Sequence, residues 1–152
     1  MTLAEDFEDF VKLLNQHKVE YMVVGGYALA FYGKPRHTGD LDIWIKVSDE
    51  NAVRMLKVIN GFGLKSLGFK TEDFLTEGLI SQIGYPPLRI DVLNSIDGVE
   101  FKEAVVDMQT IKLENGLSIN YIGLNDLVKN KQASGRRQDI TDVKTLKKIK
   151  RI

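Results

Sequence analysis

The sequence predicts an α+β fold, a mixed sheet with helices packed on it and a helical arm at the C-terminus. Three observations carry that prediction. Apolar residues recur with helical spacing in residues 4–17 and 49–60 and with strand period in residues 40–45 and 88–93. The order of segments is helix, strand, helix, strand, helix, then a group of strands, then helices. Asn115-Gly116 separates two strand-like runs, which is the signature of a hairpin.

Each element has its own justification. Phe7, Phe10, Val11 and Leu14 fall on one face of a helix over residues 4–17. The Val-rich run 19–24 reads as a short buried strand. It meets Gly25-Gly26 and then residues 27–32, whose Ala and Leu favour a helix that stops at Gly33. After a loop with Pro35, Leu41, Ile43 and Ile45 alternate with Asp40, Asp42 and Trp44, so 40–45 is a strand. Residues 49–60 have an acidic start and apolar helical spacing, ended by Gly61. Residues 61–77 are expected to be loop with one helical turn at 71–75. Strands 79–85 and 88–93 flank Pro86-Pro87, and residues 100–106 form a short helix. Residues 109–113 and 117–122 pair as the hairpin, and residues 123 onward are helical in two pieces that break near Ser134-Gly135.

The chain has 152 residues, the size of one domain, so residues 1–152 are expected to be a single unit with 1–122 as core and 123–152 as arm. Twenty-one Lys and Arg balance 21 Asp and Glu, which excludes a generally basic nucleic-acid binder and an acidic solvating tail. The balance hides an asymmetry. Residues 129–152 carry nine Lys or Arg against two Asp, a net of +7, which leaves −7 for residues 1–128. With no cysteine there are no disulfides, thiolate nucleophiles or thiolate metal sites, as suits a reducing compartment. The first ten residues carry acids where a signal peptide needs a basic start, and the apolar stretch 21–33 is too short to span a bilayer. A cytoplasmic protein with no membrane partner is the expectation.

The chemistry concentrates in residues 23–45. A strand running into Gly25-Gly26 and then a helix offers backbone N–H groups to a phosphate, and glycine lets an anion come close because no Cβ intervenes. Asp40 and Asp42 are two apart on a strand and project to the same face. Two acids on one surface repel unless a cation lies between them, and Mg²⁺ takes such oxygens together with phosphate. Asp91 is a third carboxylate on the polar face of a strand, in the alternation Leu88, Ile90, Val92 against Arg89 and Asp91. Three such acids can hold two metal ions. Whether the two strands are neighbours is not legible at this level.

An apolar strand, a Gly pair, about a dozen residues, then acid-x-acid and a later third acid resembles the nucleotidyltransferase superfamily with the DNA polymerase β fold. The segment 33–42, Gly-Lys-Pro-Arg-His-Thr-Gly-Asp-Leu-Asp, is similar to the corresponding stretch of minimal bacterial members of the AbiEii-type toxin and abortive-infection kind. Residues 131–146 resemble their later basic and acidic helix. The resemblance implies that Asp40, Asp42 and Asp91 bind two Mg²⁺, with Mn²⁺ as a substitute, and that Asp91 activates the acceptor hydroxyl. It implies that Gly25 and Gly26 hold the triphosphate, Gly26 standing where many members have Ser. Arg36, Thr38, Lys131, Arg136 and Arg137 are candidates for contacts to the nucleotide, and Asp139 and Asp142 for orienting the cations of the arm.

The expected activity is transfer of an NMP from an NTP to an acceptor hydroxyl (an RNA end, a protein side chain or a small molecule), with pyrophosphate released. A partner protein or a homodimer is expected to complete the short chain, in a toxin–antitoxin or phage-defence setting. Two other readings stay open: a non-catalytic nucleotide- or partner-binding module, and a metal-dependent phosphohydrolase. Lys34 after Gly33 is not a Walker loop, residues 61–68 have the wrong spacing for a dinucleotide fingerprint, and Trp44 and Lys46 occupy the ligand positions of any EF-hand loop starting at Asp40.

Overall fold

In a computed structural model, residues 4–33, 39–85 and 88–150 are described. The elements are α1 (Glu5–Gln16), β1 (Tyr21–Val24), α2 (Gly25–Phe31), β2 (Asp40–Ile45), α3 (Asp49–Gly61), α4 (Glu72–Leu75), β3 (Ile80–Tyr85), β4 (Leu88–Leu93), α5 (Phe101–Ala104), β5 (Gln109–Lys112), β6 (Ser118–Tyr121), α6 (Leu124–Ser134) and α7 (Arg137–Lys150). Six strands form one mixed sheet in the order β3-β4-β2-β1-β6-β5. The pairs β1–β2, β3–β4 and β5–β6 are antiparallel, while β2–β4 and β1–β6 are parallel. The α+β architecture expected from the sequence is the one observed.

The sheet has two different faces because β2 alternates. Leu41, Ile43 and Ile45 are fully buried. Tyr21 lies opposite Ile45 in the register and its hydroxyl donates to Asn15 Oδ1 of α1 at 3.0 Å, which places α1 over this apolar face. Phe7, Phe10, Val11 and Leu14, the stripe read from the sequence, are buried there. Ala52, Met55, Val58 and Ile59 of α3 belong to the same core. On the opposite face Trp44 is covered edge-on by Phe101 of α5, ring centroids 5.0 Å apart.

Local chemistry sets the boundaries. The strand expected over 19–24 starts at Tyr21, because residues 18 and 19 finish α1: Lys18 takes φ +58° and the Val19 N–H donates to the Leu14 carbonyl at 2.9 Å. Ser48 caps α3 by accepting from the Asn51 N–H. Asn51 itself is fully buried. Its side chain accepts from the Glu20 N–H at 2.8 Å and donates to the Lys46 carbonyl at 2.8 Å and the Glu20 carbonyl at 3.1 Å. That clamp fixes the start of β1 against the end of β2, and hence the register of the acid-bearing strand. The short helix expected over 100–106 divides into α5 and a 3₁₀ turn at Val105–Asp107. The hairpin forms with Gly116 at φ +88°. The break in the arm falls where it was expected, with Gly135 at φ +66° ending α6. No helix among the described residues is long and apolar enough to cross a membrane.

Candidate active site

The sheet answers the question that the sequence leaves open. Strands β2 and β4 are parallel neighbours, with Asp42 opposite Asp91 and Asp40 opposite Arg89. Strand alternation then sends Asp40, Asp42, Arg89 and Asp91 out of the same face. They line a cleft of about 580 Å³ together with Gly25 from the head of α2 and Lys131, Ser134, Arg136 and Asp139 from the junction of α6 and α7.

Gly25 is required by geometry. It has φ +67°, and a Cβ built on it would sit 2.1 Å from Oδ2 of Asp42. The Gly25→Ala variant is therefore expected to lose about 1–3 kcal/mol of stability and to displace Asp42. Chemical denaturation beside an activity assay checks this, and a variant of unchanged stability would contradict the contact. Gly26 is buried within α2 and does not line the cleft.

Electrostatics follow from crowding. Burial, and then the neighbouring Asp91 and Asp40, push the Asp42 carboxyl up to about 7, while Arg89 and Lys131 pull the other way. The Arg89 guanidinium bridges the cluster. Its Nε donates to Asp91 Oδ1 at 2.9 Å, and its Nη2 donates to Asp91 Oδ2 and to Asp40 Oδ2, both at 3.0 Å. The side-chain hydrogen bond to Asp91 comes first among the causes that raise the Arg89 pKa above its usual value. Arg89 was not among the sequence candidates. The available signal was its spacing two residues before Asp91, which puts a cation on the acid-bearing face.

The opposite wall is an ion-pair network. Lys131 Nζ lies 3.0 Å from Asp139 Oδ1 and 3.2 Å from Asp142 Oδ2, and all three residues are buried. Arg136 Nε donates to Asp139 Oδ2 at 2.8 Å, and Ser134 Oγ also donates to that oxygen. Burial works to raise the Asp139 carboxyl, but hydrogen bonds from Ser134, Lys131 and Arg136 outweigh it and bring it to about 2. Arg136 is largely exposed beyond this contact and borders the cleft. Arg137 is exposed at the start of α7 and does not line the cleft. Arg36 and Thr38 lie outside the described residues.

The donor set is all carboxylate, the hard oxygen chemistry that Mg²⁺ and Mn²⁺ prefer, and a guanidinium already sits between two of the three acids. These residues fit a divalent cation in kind. Among the described residues no three acids or histidines are gathered into a finished metal cage.

A family model described as "Nucleotidyl transferase of unknown function (DUF2204)" matches residues 3–152. Among solved structures, a candidate nucleotidyltransferase from Thermotoga maritima is similar at 15% identity and TM-score 0.57, over 93% of this chain and 88% of that one. An antigenic nucleotidyltransferase-like protein from Paracoccidioides brasiliensis is similar at 17% identity and TM-score 0.50, over 95% of this chain and 77% of that one. At these identities the likeness is one of fold. No curated protein matches significantly.

Proposed function

Because the chain belongs to this family of nucleotidyl transferases, we propose that it moves an NMP from an NTP to an acceptor hydroxyl and releases pyrophosphate. The observation that supports this reading most is the in-register placement of Asp42 beside Asp91 on parallel strands, with Asp40 on the same face. Asp40, Asp42 and Asp91 would hold one or two Mg²⁺. The metal, when bound, supplies positive charge for the phosphates and the leaving group. Asp91, which lines the cleft beside Asp42, would take the proton of the acceptor hydroxyl. Gly25, whose missing Cβ makes room for the Asp42 carboxylate, would offer its backbone to the triphosphate at the edge of the cleft. Arg136, exposed at the border of the cleft, would contact phosphate, while Lys131 is held behind it by Asp139 and Asp142. Catalysis in such a site is mostly orientation and charge neutralisation.

The acceptor is an RNA end, a protein side chain or a small hydroxylated molecule. The motif resemblance to AbiEii-type enzymes supports a role as the toxin-like member of a defence or toxin–antitoxin pair, acting in the cytoplasm with a partner protein or a second copy. The test is incubation with Mg²⁺ and each α-labelled NTP in the presence of total RNA or cell lysate. Label is expected on one class of macromolecule or small molecule, with pyrophosphate formed in equal amount. Monophosphate release to water without label transfer would replace this reading by phosphohydrolysis. Nucleotide binding without turnover would replace it by a binding module.

A further inference from the structure

Arg89 engages the acids in a way that bears on how a metal enters. Both oxygens of Asp91 accept from its guanidinium, and Asp40 Oδ2 accepts from the same Nη2. The planar fork thus spans two of the three carboxylates. A divalent cation drawn to the cluster meets two acids that already have a cation between them.

The surroundings give this side chain somewhere to go. Arg89 is 27% exposed although β4 lies inside the sheet. On its β3 side the residue in register is Gly84, which puts no side chain against it. Gly84 has φ +85°, and a Cβ there would lie 3.0 Å from the Leu88 carbonyl oxygen, so the backbone itself favours a bare position next to Arg89. On the β2 side stands Asp40, which is 40% exposed and reachable from solvent.

We propose that Arg89 is an internal counter-cation of the acid cluster, bridging Asp40 and Asp91 until a divalent metal displaces its Nη2 from the Oδ2 atoms of both acids, toward Gly84. This rests on the reading of the cluster as a metal-holding site. Its consequence is that the metal-free cluster is held neutralised in part, so that metal affinity is set by competition with Arg89. Removing the guanidinium leaves the acids to repel one another and to bind the metal without a competitor.

Mn²⁺ titration followed by electron paramagnetic resonance, on nucleotide-free wild type, Arg89→Gln and Arg89→Lys, tests this. The Gln variant is expected to bind Mn²⁺ about tenfold more tightly, on the scale by which outer contacts tune metal affinity. The Lys variant is expected to fall between, since a single ammonium lacks the fork that engages two carboxylates together. Equal or weaker Mn²⁺ binding by the Gln variant would overturn the proposal and make Arg89 a support that orients Asp91. If the Gln variant does not fold, the Lys variant decides by the same criterion. Mn²⁺ binding that is absent from all three proteins also overturns it. The label-transfer assay on the same preparations reports separately on nucleotidyl transfer. Tightened Mn²⁺ binding with no transfer in wild type would remove the functional reading and leave the role of Arg89 standing.

Discussion

Asp42→Asn is expected to lower nucleotidyl transfer by about 10³-fold or more while raising the stability of the metal-free protein at pH 8. The loss follows because a neutral amide cannot contribute the negative oxygen that a divalent cation needs at the centre of the cluster. The gain follows from burial. Asp42 has a carboxyl raised to about 7 in the folded chain against 3.8 for the free group. Between those values the folded state keeps a proton that the unfolded state releases. Stability from this group is therefore fully present below about pH 4 and is lost as pH rises through 7. The Asn variant lacks that loss, so its melting temperature at pH 8 should exceed wild type by roughly 5 °C, and the two should converge near pH 4. Thermal melts across pH 4–8 with chelator present measure this, and parallel curves for the two proteins would sink it. Transfer near the wild-type rate would sink the assignment of Asp42.

Lys131→Met is expected to cost about 3 kcal/mol or more, because it removes a buried ammonium shared by two acids at the α6–α7 junction. Asp142 is fully buried and Asp139 is 3% exposed. The replacement removes a contact at 3.0 Å and another at 3.2 Å. Urea unfolding should show the loss, and Lys131→Met combined with Asp142→Asn should recover part of it, since the second change removes a buried charge that has lost the Lys131 ammonium. A lysine that served only as a phosphate contact would leave stability nearly unchanged and transfer impaired. Asp139 makes the acid range informative as well. Its carboxyl stands at about 2 folded against 3.8 free, so its contribution is present above about pH 4 and is lost as pH falls toward 2. That acid loss should be smaller in the Lys131→Met protein.

The two variants divide the basic arm into parts that the sequence treats alike. Nine Lys and Arg after residue 128 read as one positive face, but they have different fates. Lys131 is drawn inside by two acids of α7, Arg136 keeps one contact to Asp139 and otherwise faces the cleft, and Arg137 is exposed outside it. Periodicity cannot separate them. A lysine on a helix reads the same whether it faces water or a pair of carboxylates eight and eleven residues further on, across a glycine break.

The missing arginine has a similar cause. The alternation of residues 88–93 shows that Arg89 and Asp91 share a face, but their significance depends on Asp40, which is forty-nine residues away in the chain. Asn51 escapes for the same reason: a polar residue in the first turn of a helix reads as solvent-facing, yet it is fully buried against the ends of β1 and β2.

By itself the sequence determined the α+β class, the identity and period of most elements, the Gly135 break and the facing direction of Asp40, Asp42 and Asp91. All of these are local consequences of alternation, helical spacing and backbone freedom. Only the tertiary structure decided that β4 lies parallel to β2 with Asp91 opposite Asp42, that Gly25 is pressed against Asp42, and that Arg89 joins two of the acids. Strand order and register depend on which apolar faces bury each other best, a property of the whole core that no window of the chain contains.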